Sequence, residues 1–222
     1  MMGKSFMTTR QIALAAMLLA LVFLAHLSGR FFTIGVAQLA PSIAIYVFMA
    51  LLLAVDLSWG ALAGIALAVG ILTMIATGSP FPPANIPAHG LGFVTAAGLT
   101  RALSRDGQPL GLSRILTIVT ITLVFSWTLF SSISWLGLTS FGAINFLGLS
   151  GNAGVLSRSF EVPAMGLAFG QGLIAWWTFG FLFIAIPTWI IAAILTPILY
   201  RAVRPVLIRQ GMIEGRLAPH AH

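Results

Sequence analysis

The stretch Gly148-Leu-Ser-Gly-Asn-Ala-Gly places Ser150 in a GxSG arrangement suited to a serine nucleophile. Such a serine needs a base within hydrogen-bond reach. The only histidines that follow it are His220 and His222, in the last few residues of the chain. Serine hydrolysis is therefore not expected. The four histidines, His26, His89, His220 and His222, fall in no metal-binding spacing, there is no HExxH, and there is no cysteine for a thiolate site or a disulfide. No metal and no cofactor are expected. A phosphate-binding loop of the Walker type is absent as well, so ATP hydrolysis by that route is excluded. Proton- or ion-coupled transport calls for acids inside helices. Here Asp56 and Asp106 lie between apolar runs, Glu161 falls in a long interruption and Glu214 lies near the C-terminus. Catalysis survives only as a pair such as His89 with Glu161 meeting across a cavity.

Binding chemistry is better represented. Gln38 lies after the first apolar run, and Asn85 and His89 lie where a proline-rich loop enters the fourth. Trp127, Ser131, Ser132, Ser134 and Trp135 occupy one half of the fifth. Asn145, Asn152, Arg158 and Glu161 fall in the interruption that follows, and Gln171, Trp176 and Trp177 at the start of the sixth. At roughly 100° per residue, Trp127, Ser131, Ser134 and Trp135 fall on one helix face, presenting aromatic walls and hydroxyls together. Tryptophan is also the usual residue of a membrane interface. Against that reading, only Trp59 and Trp189 of the six tryptophans lie elsewhere. The expectation is a pocket for a small, flat, weakly polar ligand. Trp127, Trp135 and Trp176 form its walls, and Asn85, His89, Asn152 and Gln171 make polar contacts. His89 also suits a buried, hydrogen-bonded core position.

The elements that must position these residues follow from composition. Of 222 residues, 59% are hydrophobic and 7% charged, against roughly 25% charged in an average soluble chain. Mean hydropathy is +1.05. Soluble enzymes, nucleic-acid-binding domains and disordered regions are thereby excluded, and an all-α integral membrane protein is expected. A helix needs about 20 apolar residues to cross roughly 30 Å of hydrocarbon. Six runs suit spans, at about 11–28, 33–55, 57–77, 88–103, 115–138 and 172–200, the second starting as late as Pro41. The first is read as a retained helix, since no small-residue cleavage site follows it. Pro80, Pro82, Pro83 and Pro87 form a stiff loop before the fourth span. Residues 139–171 form a long outer loop folded back onto the protein. Within the apolar region 163–200, one long final helix at about 172–200, kinked at Pro187, is expected, followed by a basic tail at 201–222.

Charge orients this plan. With six spans, Lys4, Arg10, Arg101, Arg105, Arg114, Arg201, Arg204, Arg209 and Arg216 share one side, and only Arg30 and Arg158 the other. The positive-inside rule then puts both termini in the cytoplasm of a cell-membrane protein. The net charge of +7 thus reports topology, and no nucleic-acid partner is expected. Two stripes of small residues allow close helix approach: Gly60, Gly64 and Ala68 on the third run, and Ala16 and Ala20, with Ala13 and Ala15, on the first. Packing within the chain is the ordinary use of such a stripe, and docking of a membrane partner the sharper one.

Two segments carry a family resemblance. Gly70-Ile-Leu-Thr-Met-Ile-Ala-Thr-Gly-Ser-Pro-Phe-Pro-Pro-Ala-Asn-Ile-Pro87 resembles the third-helix end and loop of the tryptophan-transporter-like S components of energy-coupling factor (ECF) transporters. Thr9-Arg-Gln-Ile-Ala-Leu-Ala-Ala-Met-Leu-Leu-Ala20 is similar to S-component starts. The resemblance covers about residues 9–103 by residues and the whole chain by plan. It implies a substrate-binding subunit that captures a vitamin, amino acid or related micronutrient beneath its outer loops and then topples to release it inward. It further implies that Ala16 and Ala20 contact a transmembrane coupling protein driven by two ATPase subunits. The chain departs from the tryptophan-like members in its long loop after the fifth span and its basic tail. The alternative is a non-catalytic scaffold that binds other membrane subunits or anionic lipid through Gly60, Gly64, Ala68 and its arginines.

Overall fold

The computed structural model describes residues 7–29, 33–34, 37–38, 41–79, 81–104, 108–142 and 168–214. These are overwhelmingly helical. Helix α1, Thr9–Ser28, opens on a capping box: Thr8 Oγ1 accepts from the Gln11 amide at 3.3 Å, and the Thr8 amide donates to Gln11 Oε1 at 2.9 Å. One face of α1, carrying Leu14, Ala15, Leu18 and Val22, is buried, while the opposite face exposes Ile12, Ala16, Met17, Ala20 and Leu24. A helix apolar on both faces needs an apolar solvent on the outer one.

Helix α2, Ser42–Leu53, is the hub: every residue except Ile45 is buried, and α1 and the later helices α4 (Asn85–Leu103), α5 (Leu112–Phe141) and α6 (Leu173–Arg209) pack around it. It has only 12 residues, about 18 Å of helix. The expected 33–55 helix is thus shorter at both ends. Ahead of it, Thr33–Ile34 and Ala37–Gln38 form a small antiparallel pairing, β1 and β2, with Thr33 opposite Gln38 and Ile34 opposite Ala37. Helix α3, Trp59–Ala76, is capped by Ser58, whose Oγ accepts from the Ala61 amide at 3.2 Å.

The proline segment differs from expectation. Pro82–Ala84 forms a 3-10 turn leading directly into α4, Asn85–Leu103, which starts before residue 88. Pro87 falls at the third helical position, where the backbone N–H it lacks has no partner within the helix anyway. Helix α5, Leu112–Phe141, is 30 residues long and reaches past both expected ends. Helix α6, Leu173–Arg209, runs 37 residues without a break. It carries a wide π-helical turn at Phe181–Ala185, just before Pro187, which cannot donate to the Phe183 carbonyl. Arg201, Arg204 and Arg209 belong to this helix, so the expected tail from residue 201 is helical through 209.

Hydrogen bonds gather one end of every helix. Arg10 Nη1 donates to the Gln210 carbonyl at 3.0 Å, Arg114 Nη1 to the Leu103 carbonyl at 3.0 Å, and the Glu214 amide to Asp56 Oδ2 at 2.8 Å. Arg101 donates to the carbonyls of Ala54 and Leu57 and lies 4.2 Å over the Trp59 ring. All described arginines and acids thus share this basic end, and neighbouring helices alternate in direction. Helices α1, α3, α5 and α6 are long and apolar enough to cross a membrane; α2 and α4 are not among them. The outward row Ile190, Ile194 and Ile198 on α6 is 47%, 58% and 58% exposed, as the surface of a membrane protein requires.

Candidate functional site

At the end opposite the arginines, α5 and the start of α6 are joined by indoles. Trp127 Nε1 donates to the Trp177 carbonyl at 3.3 Å, Trp177 Nε1 to Thr128 Oγ1 at 3.3 Å, and Trp135 Nε1 to the Phe169 carbonyl at 3.5 Å. The Phe169 ring sits edge-on to Trp176 at 5.5 Å and 6.5 Å from Trp135, while Trp177 stacks on Phe181 at 4.7 Å and 9°. The Trp127 indole packs against Gly180, where a Cβ would come within 2.3 Å of it. Gly137, further along α5, lets the Phe81 ring approach as closely. The three tryptophans expected as walls, Trp127, Trp135 and Trp176, are therefore brought together. The first and last are buried and Trp135 is half-buried. On the outward side of the same helix pair, Ser132, Leu173, Ile174 and Trp177 line an open groove of about 220 Å³.

Among the described residues, six buried side-chain groups have no hydrogen-bond partner: Tyr46 Oη, Thr122 Oγ1, Ser131 Oγ, Ser134 Oγ, Trp176 Nε1 and Thr188 Oγ1. Each such group costs roughly 1–3 kcal/mol in the absence of a partner. Ser131, Ser134 and Trp176 belong to the aromatic cluster. Other helix threonines donate back one turn, as Thr73 does to Val69 at 2.8 Å, but Thr122 and Thr188 make no such bond. Ser131 and Ser134 have no such bond.

The expected polar contacts are placed differently. Asn85 is fully buried, but its amide is used locally, donating to the Pro82 carbonyl at 2.9 Å to close the turn into α4. Gln171 is exposed in the turn before α6. His89 is buried and lies 3.4 Å from Ser126 Oγ through Nδ1. It meets the His26 ring at 5.1 Å and the Tyr46 ring at 5.8 Å, both edge-on, and His26 Nδ1 lies 2.9 Å from Ser42 Oγ. This polar cluster ties α1, α2, α4 and α5 together. Neither His26 nor Tyr46 was singled out for a pocket from sequence. A polar residue inside an apolar run was the available signal, but it cannot say which helix it meets. Asn152 and the side chain of Gln38 lie outside the described residues, as does Ser150. Glu161, the acid considered for a pair with His89, lies outside them too.

The small-residue stripes separate. Ala16 and Ala20 are exposed on α1. Gly60 and Gly64 are exposed on α3, and a Cβ at Gly64 would meet nothing within 4 Å. On α3 it is Gly70 that packs inside the chain, where a Cβ would come within 2.7 Å of the Ile86 carbonyl oxygen. Among the described residues, no group of three or more His, Cys, Asp or Glu side chains is disposed to hold a metal ion.

Comparison with known proteins returns nothing: no family model, no curated protein and no solved structure matches the chain.

Proposed function

We propose that this chain is the membrane-embedded substrate-binding subunit of an ATP-driven importer of the energy-coupling factor type, taking up a vitamin, amino acid or related micronutrient. The observation that carries the reading is the collection of buried, unpartnered hydroxyl and indole groups among tryptophans at one end of an otherwise apolar bundle. Such groups are retained at a cost in stability, and a ligand offsets that cost. In this reading all six helices serve as spans, α2 enclosed by its neighbours and α4 lying between α3 and α5. The arginine end lies in the cytoplasm with both termini, and the aromatic end faces outward. The exposed Ala16 and Ala20 on α1 leave a smooth face for the coupling protein, which two ATPases drive.

Native mass spectrometry of the gently purified protein tests this directly. A co-purified small molecule, displaced by one member of a panel of vitamins and aromatic amino acids, is the expected result. An empty protein that ignores the panel overturns it. The exposed Gly60 and Gly64 favour a second reading, a scaffold whose α3 docks another membrane helix. Specific capture of a membrane partner by a protein that binds no ligand would establish that reading instead.

A further inference from the structure

Three of the unpartnered groups share one location. Ser131 and Ser134 stand three residues apart on α5, bracketed by Trp127 and Trp135 on the same face. Trp127 is bonded to the Trp177 carbonyl and Trp135 to the Phe169 carbonyl, so the segment carrying Phe169 and Trp176 lies against the turns of α5 that hold the two serines. Both serines are 0% exposed and Trp176 is 6% exposed, and none of the three polar atoms has a partner.

Resting on the binding reading above, we infer that Ser131 Oγ, Ser134 Oγ and Trp176 Nε1 form the recognition edge of the ligand site. Its ligand is a planar heteroaromatic ring bearing a hydrogen-bond acceptor. The chemistry follows from the groups. An indole N–H can only donate, and a serine hydroxyl both donates and accepts, so the ligand must present at least one acceptor to Trp176. The walls are ring faces and edges, which favour a flat ligand of similar width. The polar contacts pass from Asn85 and Gln171 to residues that sequence reading had placed on the wall or left unassigned.

The test compares two bicycles of one shape by isothermal titration of the full-length protein in nanodiscs. Oxindole carries a lactam carbonyl, and indole has the N–H without the acceptor. Oxindole is expected to bind about tenfold more tightly, the equivalent of one hydrogen bond. Trp176→Phe and the double variant Ser131→Ala/Ser134→Ala should each bring oxindole down towards indole while leaving indole affinity unchanged, which also reports an intact fold. Equal affinities in the wild type, an unchanged preference in both variants, or no saturable binding of either ring would each overturn the assignment. A molecule retained in native mass spectrometry alongside any of these results would leave the binding reading standing and remove only this site. Loss of both would remove both.

Discussion

Two glycines on the same helix allow the packing of α3 to be measured without a reference scale. Gly64 and Gly70 lie six residues apart, and alanine at either brings the same gain in helix propensity, about 0.5–1 kcal/mol. Their surroundings differ. A Cβ at Gly64 meets nothing within 4 Å, whereas at Gly70 it lies 2.7 Å from the Ile86 carbonyl oxygen and 2.9 Å from its Cα. These are backbone atoms of α4, so no rotamer change relieves the clash and the two helices must separate. Overpacking of this kind costs about 1–3 kcal/mol. The propensity term cancels between the variants, so Gly70→Ala should unfold more readily than Gly64→Ala by that amount, roughly a 5- to 150-fold difference in unfolding equilibrium. Titration with dodecyl sulfate in mixed micelles, followed by tryptophan fluorescence and circular dichroism, reads the difference. Equal stabilities, or Gly64→Ala as the weaker of the two, would refute the placement of α3 against α4.

The basic end offers a second test. Arg101→Ala removes the donors to the Ala54 and Leu57 carbonyls and the contact with Trp59, and should cost about 2 kcal/mol in the same titration. Arg101→Lys should recover little of it, because an ammonium lacks the planar fork that reaches two carbonyls together; full rescue by lysine would count against that geometry. Topology is accessible because the chain has no cysteine. Gln171→Cys and Gln210→Cys both stand at exposed positions, and a membrane-impermeant maleimide should label the first only from outside and the second only from inside. Labelling of both from one side would exclude the proposed arrangement of spans.

Much of the helical plan was legible in the sequence, since apolar runs bounded by serine, glycine and charged residues set α1, α3, α5 and the start of α6 to within a few residues. Their boundaries were less so. Thr8 and Gln11 cap α1 through local bonds that a sequence pattern can name. The start of α4 beyond three prolines depends on Asn85 closing the turn onto Pro82. The continuation of α6 past Tyr200 joins its C-terminal turn to Arg10, some two hundred residues earlier in the chain.

The candidate site divides in the same way. Helical spacing alone put Trp127, Ser131, Ser134 and Trp135 on one face, because residues three and four apart on a helix are neighbours whatever surrounds them. Composition likewise determined that the outer surface is apolar, and the placing of charge along the chain that the described arginines gather at one end. Only the tertiary structure brought Trp176 and Phe169 against that face, turned Asn85 inward to its own turn and left Gln171 exposed. It also set His26 beside His89, and it left Gly60 and Gly64 outside while packing Gly70. In an almost uniformly apolar chain, every face of every helix is acceptable to lipid and to neighbouring helices alike, so hydrophobic patterning cannot choose between them. Shape complementarity and the few hydrogen bonds between helices make that choice, and both exist only once distant segments have met.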